Sequence, residues 1–265
     1  MTALLEVRGL RKSFAGVHAV DGISFSVAAG SVTGLIGPNG SGKSTTIDCI
    51  SGFQPIDAGR IVLSGVDVTG RAPQRVARAG LMRTFQTVRV YERLSLRDNL
   101  LIAAQQFDDA GWADELFRTA RYRRAVSAAQ TRAHELIDLI GLAHYIDAEA
   151  GILSYGQKKL VALAAALMPR PKIIVLDEPV AGVNPTRIRE VEDILRKLNA
   201  AGETFLIVEH NVEFITNLCH HVIVLDQGCK LAEGTAAEVH RDARVLEAYL
   251  GVPPEMALAE MEGAA

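Results

Sequence analysis

A run of nine residues near the N-terminus has the composition needed to hold phosphate. Its glycines come before a lysine that is followed by two hydroxyl residues, in the pattern G-x-x-x-x-G-K-S. Such glycines let the backbone curl so that its N–H groups face an anion, and here Lys43 would reach the β- and γ-phosphates while the Ser44 hydroxyl ligates Mg²⁺. The sequence therefore predicts a nucleoside triphosphate site formed by Gly37, Pro38, Asn39, Gly40, Ser41, Gly42, Lys43, Ser44 and Thr45.

The flanking segments have the setting that a phosphate loop requires. The apolar stretch Val32–Ile36 precedes the run, and a helical pattern follows over Lys43–Ile50. This order places the loop at a helix N-terminus, where backbone N–H groups attract anions. A plain glycine-rich turn between a strand and a helix is the alternative, and the combination of pattern and setting argues against it.

Two carboxylates end another apolar run, Lys172–Glu178. Asp177 stands where a P-loop enzyme places the acid that holds Mg²⁺. Glu178 points in a different direction from its neighbour and could polarise an attacking water. Two strand-end acids could instead cap the following helix, but with a phosphate loop upstream we favour the metal and base roles.

The segment Leu153–Gln157 forms a second helix N-terminus suited to phosphate. Its serine and glycine come just ahead of the helical run Lys158–Met168, and such a position favours negative charge. Ser154 is also a good N-cap residue. The two roles are compatible, because a capping serine can still meet an incoming anion.

With these segments in this order, the chain resembles the ABC ATPase family over roughly residues 4–250. Leu153–Gln157 (LSYGQ) is similar to the signature motif of that family. Gln86, in the sequence RTFQ, matches the Q-loop, and Val180–Asn184 matches the D-loop. His210, in VEH, occupies the position of the switch histidine.

The resemblance implies a role for each matched residue. Phe14 would stack on adenine, although a plain core aromatic remains the alternative. Gln86 would ligate Mg²⁺ or the lytic water and report γ-phosphate to a partner-facing surface. His210 would hydrogen-bond the γ-phosphate and water. The implied catalytic set is Glu178, His210 and Gln86; Ser154, Gly156 and Gln157 would add to the nucleotide site, and Ser44, Gln86 and Asp177 would hold Mg²⁺.

Two residues depart from the usual motifs of the family and help to identify a narrower subgroup. Asn184 stands where most D-loops have Asp, and Tyr155 stands where the signature usually has Gly. Together with the RTFQ, GVNP and VEHN segments, these residues are similar to the ATPase subunits of branched-chain amino acid importers. The same subgroup resembles ATPases for urea, short amides and aromatic acids.

The expected fold is α/β: a P-loop NTPase (RecA-like) core with a mostly parallel sheet, an N-terminal antiparallel β subdomain and an inserted α-helical subdomain. Val-rich runs such as Ile173–Leu176 predict strands buried on both faces, and an apolar stripe through Ala133, Leu136, Ile137 and Ile140 predicts a helix. We expect one nucleotide-binding domain over residues 1–250, divided into the core (1–94 and 158–250) and the helical part (95–157), and then a tail (251–265).

Composition excludes several classes of protein. The 265 residues are 49% hydrophobic with a net charge of −3, which favours a globular domain and gives no overall reason to expect nucleic acid. Three scattered cysteines favour a reduced, cytoplasmic chain without a disulfide framework, with Cys49 and Cys219 as small core residues. No apolar run is long enough to cross a membrane, so we expect attachment to the membrane through other subunits.

The expected function is ATP hydrolysis that drives solute import, with ATP and Mg²⁺ as cofactors. The resemblance implies two membrane permease subunits as partners, and a second ATPase subunit, paralogous or identical, bound head to tail. A periplasmic or surface solute-binding protein would be an indirect partner. A soluble ABC ATPase, such as an Fe–S assembly ATPase, is the alternative. A P-loop kinase or GTPase is disfavoured, because the chain has no Asn-Lys-x-Asp motif and such enzymes give no reason for LSYGQ.

Overall fold

The fold is built on two β-sheets joined by helices, as seen in a computed structural model that describes residues 3–86, 88–105, 116–117 and 119–250. The strands are β1 (Ala3–Phe14), β2 (Val17–Ala28), β3 (Val32–Ile36), β4 (Ala58–Leu63), β5 (Val66–Asp67), β6 (Leu81–Arg83), β7 (Ile173–Asp177), β8 (Phe205–Val208), β9 (His221–Asp226) and β10 (Cys229–Gly234). The helices are α1 (Lys43–Ile50), α2 (Pro73–Ala79), α3 (Leu96–Gln105), α4 (Ala120–Leu139), α5 (Tyr155–Leu167), α6 (Pro185–Ala200), α7 (Val212–Leu218), α8 (Ala236–Arg241) and α9 (Ala243–Leu250).

The larger sheet carries the site. Its strand order is β10-β9-β3-β8-β7-β6, and every neighbouring pair is parallel except β9 with β10. All residues of β3 and β8 are buried, as expected for strands covered by helices on both faces. The predicted parallel core is confirmed. The chain leaves β3 and β7 at the same edge of the sheet, and this edge brings the phosphate loop and the two acids together.

The smaller sheet is antiparallel, with the order β2-β1-β4-β5. Leu5, Val7 and Leu10 of β1 are buried while Arg8 and Arg11 are exposed, which is the pattern of a sheet with one face on the core. The predicted antiparallel N-terminal part is confirmed. Strands β4 and β5 of this sheet form a hairpin around Ser64–Gly65. Strand β2 also approaches the phosphate loop, since the main chain of Ala19 lies beside Gly42.

Between β6 and β7 the described chain contains helices instead of sheet strands. The predicted stripe on α4 is confirmed, because Ala133, Leu136, Ile137 and Ile140 are all at most 3% exposed. Helix α3 packs on both α4 and α5, and α5 also contacts β6. The proposed boundary between residues 157 and 158 falls within α5, and the division into core and helical part stays a prediction.

The C-terminal elements cover one end of the parallel sheet. Helix α9 packs against α8 and β10, with Val245 buried and Tyr249 against the core. The tail from 251 to 265 lies outside the described residues, as does Arg118. Within the described ranges, no helix combines the length and apolarity needed to cross a bilayer.

Candidate functional site

The phosphate loop runs from the end of β3 to the start of α1, as predicted. Gly37 and Gly42 adopt φ angles of 151° and 96°, which L side chains rarely reach. A Cβ at Gly37 would lie 2.1 Å from the carbonyl oxygen of Leu225, and one at Gly42 would lie 2.4 Å from that of Ala19. Only glycine fits at these two points, because the neighbouring main chains of β9 and β2 lie too close.

Lys43 is held inside the loop. Its side chain is buried, and Nζ donates to the carbonyl oxygens of Gly37 and Pro38, at 2.8 Å each. Burial lowers the pKa of Lys43, and the charge of Glu178 acts in the opposite direction. A buried cation stabilised by only a few carbonyls and a nearby acid is well placed to accept an anion.

The three predicted catalytic side chains lie together, with Gln86 and His210 both next to the carboxylate of Glu178. Gln86 Nε2 donates to Glu178 Oε2 at 2.7 Å, and His210 Nε2 lies 3.3 Å from Oε1. Each carboxylate oxygen thus has its own partner, although the three residues come from three different loops. Glu178 also has a φ of 50°, and a strained non-glycine backbone of this kind is characteristic of functional sites.

Asp177 lies beside this group and pairs with a residue that is absent from the predicted site. Arg83 Nη2 donates to Asp177 Oδ2 at 2.8 Å, and Nη1 donates to Asp48 of α1 at 2.5 Å. The guanidinium also lies near the rings of Phe53 and Phe85. In the sequence, the one indication that Arg83 belongs to the site is its position three residues before Gln86 in RTFQ. Its partners are distant in sequence, so the pairing itself could not be predicted.

The three residues predicted to hold magnesium carry oxygen donors of the kind that this ion prefers. Ser44 is exposed at the start of α1, Asp177 Oδ2 is taken by Arg83, and Gln86 supplies an amide oxygen. Among the described residues, no three His, Cys, Asp or Glu side chains cluster as a protein cage would require. Mg²⁺ is commonly held by one or two protein oxygens together with substrate phosphates, and the residues present agree with that arrangement.

The signature segment begins α5 with a capping box. Gln157 N donates to Ser154 Oγ at 3.4 Å, and Ser154 N donates to Gln157 Oε1 at 3.0 Å. Ser154 is therefore the N-cap, as expected, and it is also exposed. Gly156 faces Val183 of the D-loop, whose methyl groups would lie 3.7 Å or more from an added Cβ.

Asn184 and Phe14 have clear local environments. Asn184 caps α6, because its Oδ1 accepts from Thr186 N at 3.0 Å and from Thr186 Oγ1 at 2.9 Å. This departure from Asp thus retains an N-cap function. Phe14 ends β1 and is 43% exposed, so it is not a core aromatic. The Lys12 ammonium lies over its ring, 5.2 Å from the centroid, and the stacking role of Phe14 stays a prediction.

Comparison with known proteins places this site in context. Residues 20–181 match the family model described as ABC transporter, and residues 229–254 match the one described as branched-chain amino acid ATP-binding cassette transporter. The high-affinity branched-chain amino acid transport ATP-binding protein BraF of Pseudomonas aeruginosa is 35% identical over 249 residues, covering 94% of this chain and 98% of that protein. The probable branched-chain amino acid transport ATP-binding protein LivG of Methanocaldococcus jannaschii is 36% identical over 255 residues, covering 94% and 97%.

A solved structure agrees with these sequence matches. The crystal structure of the ADP conformation of an ATP-binding cassette of an ABC transporter superposes with a TM-score of 0.82 at 36% identity. The match covers 95% of this chain and 100% of that one. The likeness therefore extends over both sheets and the helices between them.

Proposed function

The chain belongs to the ABC transporter family of ATP-binding cassettes, and we propose that it powers import of branched-chain amino acids, or of a similar small polar solute, through separate permease subunits. The observation that carries the proposal is the meeting of Gln86 and His210 on the carboxylate of Glu178. The relatives BraF and LivG are named for branched-chain amino acid transport. These names favour a transport ATPase over a soluble Fe–S assembly ATPase.

The chemistry follows from the positions of the side chains. Lys43 and the loop N–H groups bind the β- and γ-phosphates of ATP. Glu178 accepts a proton from the attacking water, while Gln86 and His210 fix the direction of its two carboxylate oxygens. Ser44, Asp177 and Gln86 would hold Mg²⁺, which supplies positive charge against the phosphate oxygens when bound. Phe14 would contribute stacking area for adenine.

A second subunit would complete the site. Ser154 and Tyr155 are exposed at the start of α5, where helix N–H groups could meet the γ-phosphate of a nucleotide bound to another copy. The composite site would contain Phe14, residues 37–45, Gln86, Asp177, Glu178 and His210 from one subunit, with Ser154, Gly156 and Gln157 from its partner. Loss of γ-phosphate would release the partner, which gives ATP hydrolysis a mechanical consequence.

Hydrolysis tests the role of Glu178. Glu178→Gln should slow ATP turnover by about 10²–10⁴-fold and preserve ATP binding, since a positioned general base is worth roughly that factor. Asp177→Asn should instead weaken the Mg²⁺ dependence of binding. Lys43→Ala should remove binding of a labelled ATP analogue, and near-wild-type affinity in this variant would contradict the phosphate-loop assignment.

Assembly tests the composite site. Light scattering of Glu178→Gln with MgATP, alone and with a co-expressed paralogous ATPase, should detect a dimer that is missing without nucleotide. Adding Ser154→Arg should prevent pairing, because it places bulk and charge at the contact. Ser127→Arg, on an exposed position of α4, is the matched control and should pair normally. Absence of pairing with both partners would contradict the dimer model.

Recovery from membranes tests attachment. The tagged chain, expressed together with candidate permease subunits, should co-purify with two polytopic membrane proteins. The chain itself should lie at the cytoplasmic face of the membrane. Uptake of labelled leucine should then depend on Glu178. Recovery of the chain with Fe–S assembly proteins instead of permeases would favour the alternative function.

A further inference from the structure

The backbone at Glu178 is held in an unfavourable conformation by two charged residues that the site described above does not use. Glu178 begins a tight turn, Glu178–Ala181, in which Ala181 N donates to the Glu178 carbonyl oxygen at 3.3 Å. The φ of 50° at Glu178 is a left-handed conformation that costs free energy for any residue with a Cβ. Such a conformation persists only where the surroundings enforce it.

Lys159 contacts the turn from the side of helix α5. Its Nζ donates to the carbonyl oxygens of Glu178 at 2.6 Å and of Ala181 at 2.7 Å. One ammonium group thus joins the first and last residues of the turn. Burial lowers the pKa of Lys159, and the charges of Glu209, Glu178 and Asp177 act against that shift. The cation therefore lies in a mainly acidic neighbourhood.

Glu209 contacts the same turn from the end of strand β8. It follows β8, is 3% exposed, and accepts from Val180 N through Oε1 at 2.9 Å. Its other oxygen accepts from His210 N at 2.8 Å and from Asn211 N at 3.2 Å. One buried carboxylate thus ties the turn after Glu178 to the loop that carries His210.

These contacts connect three parts of the site. Lys159 lies four residues after Tyr155 on the signature helix, and Glu209 lies next to the switch histidine. Both bind main-chain atoms of the turn Glu178–Ala181. Main-chain atoms accept or donate at every one of these bonds, so the contacts act on backbone geometry and not on substrate.

We propose that Lys159 and Glu209 are positioning residues that hold Glu178 in the orientation needed to polarise water. The inference rests on the proposed role of Glu178 as general base. Displacement of a reacting group by about 1 Å can reduce the rate on the order of 10²-fold. Loss of either residue should therefore reduce kcat while leaving the phosphate loop, and with it ATP affinity, unchanged.

The first test is Lys159→Met, which keeps the length of the apolar stem but removes the donor. ATP turnover should fall by at least about tenfold, with unchanged binding of radiolabelled ATP, and Lys159→Arg should restore part of the rate. Lys158→Met is the matched control. Lys158 Nζ pairs with Glu92 at 2.6 Å, outside the turn, and its loss should leave kcat near wild type.

The second test uses Glu209, in case Lys159→Met fails to fold as judged by circular dichroism. Glu209→Gln has the same shape, but its amide can direct only one oxygen at the three N–H donors, and the NH₂ group then faces a donor. Turnover should fall as for Lys159→Met, again at constant ATP affinity. Turnover within twofold of wild type in folded Lys159→Met or folded Glu209→Gln would overturn the proposal.

A double-variant cycle separates a positioning role from general damage. If Lys159 acts through Glu178, adding Lys159→Met to Glu178→Gln should cost little further rate. Independent, multiplying losses would overturn the positioning role even if Glu178 is the base. Failure of the proposed function would look different, because Glu178→Gln alone would then keep its wild-type turnover.

Discussion

The hydroxyl of Tyr155 donates to the main-chain oxygen of Gln86 at 3.2 Å, which ties the signature helix to the Q-loop of the same subunit. The ring lies under the Lys159 ammonium, 5.4 Å from its centroid. It also faces Gly182, where an added Cβ would lie 3.4 Å from Tyr155 Cε1. The residue that departs from the usual signature glycine therefore contacts both the Q-loop and the D-loop.

Removing this hydroxyl should loosen the Q-loop. Tyr155→Phe keeps the ring contacts but loses one hydrogen bond, worth about 1 kcal/mol at most in this exposed position. Amide hydrogen exchange in the segment Thr84–Gln86 should become up to about fivefold faster, since exchange follows the free energy of local opening. Tyr145→Phe, a partly buried tyrosine elsewhere, is the control. Equal exchange in wild type and Tyr155→Phe would contradict the link.

Arg83 should be a major contributor to stability in the free protein. Its side chain is 8% exposed, and that of its partner Asp177 is 11% exposed. Removing one member of a buried ion pair leaves the other uncompensated, so Arg83→Met should cost about 3–5 kcal/mol in the free energy of unfolding. Urea denaturation without nucleotide measures this change.

A surface pair provides the control for Arg83. Arg60 Nε lies 2.8 Å from Asp67 Oδ2, with the Arg60 side chain 60% exposed. Exposed pairs contribute about 0–1 kcal/mol, so Arg60→Met should change the denaturation midpoint only slightly. A similar loss in both variants would show that the pairing of Arg83 with Asp48 and Asp177 is not what stabilises this region.

The strands that carry the site were predictable because their sequence pattern has one physical cause. Val32–Ile36, Ile173–Leu176 and Phe205–Val208 are covered on both faces, so they contain apolar residues without alternation. The phosphate loop was predictable for a similar reason, because its glycines and lysine are demanded by the shape and charge of phosphate.

Residues with long-range partners were not predictable in this way. Strand β6 has only three residues, and its last, Arg83, is buried through contacts with Asp48 and Asp177, which are 35 and 94 positions away. In the sequence, Lys159 and Glu209 are charged residues of the kind usually found on a protein surface. Their partners are backbone atoms of a turn whose shape appears only in three dimensions.

The buried thiol of Cys219 should make stability fall at alkaline pH. Burial raises its pKa from 9.0 to about 12, so between these values the unfolded chain loses a proton that the folded chain retains. Stability therefore decreases as pH rises through 9, by on the order of 1 kcal/mol at pH 10 for this one group.

Comparison of two alanine variants isolates the Cys219 effect. The difference in unfolding free energy between wild type and Cys219→Ala, measured by urea denaturation at pH 7 and pH 10, should fall by on the order of 1 kcal/mol. Cys229→Ala, at an exposed cysteine, is the control for removing a thiol. A pH-independent difference for Cys219→Ala would contradict the raised pKa.

Two glycines of the phosphate loop separate backbone strain from steric overlap. Gly40 has a φ of 81°, and among the described residues nothing lies within 4 Å of an added Cβ, whereas Gly42 has a φ of 96° and would place its Cβ 2.4 Å from the Ala19 carbonyl oxygen. Gly40→Ala should cost about 1–2 kcal/mol, the penalty of a left-handed L residue. Gly42→Ala should cost clearly more, because the loop must also move away from β2, and it should weaken ATP binding by displacing Lys43.

Urea denaturation of the two variants measures the loss of stability, and titration with labelled ATP measures the loss of binding. Equal losses in the two variants would show that β2 does not constrain the loop.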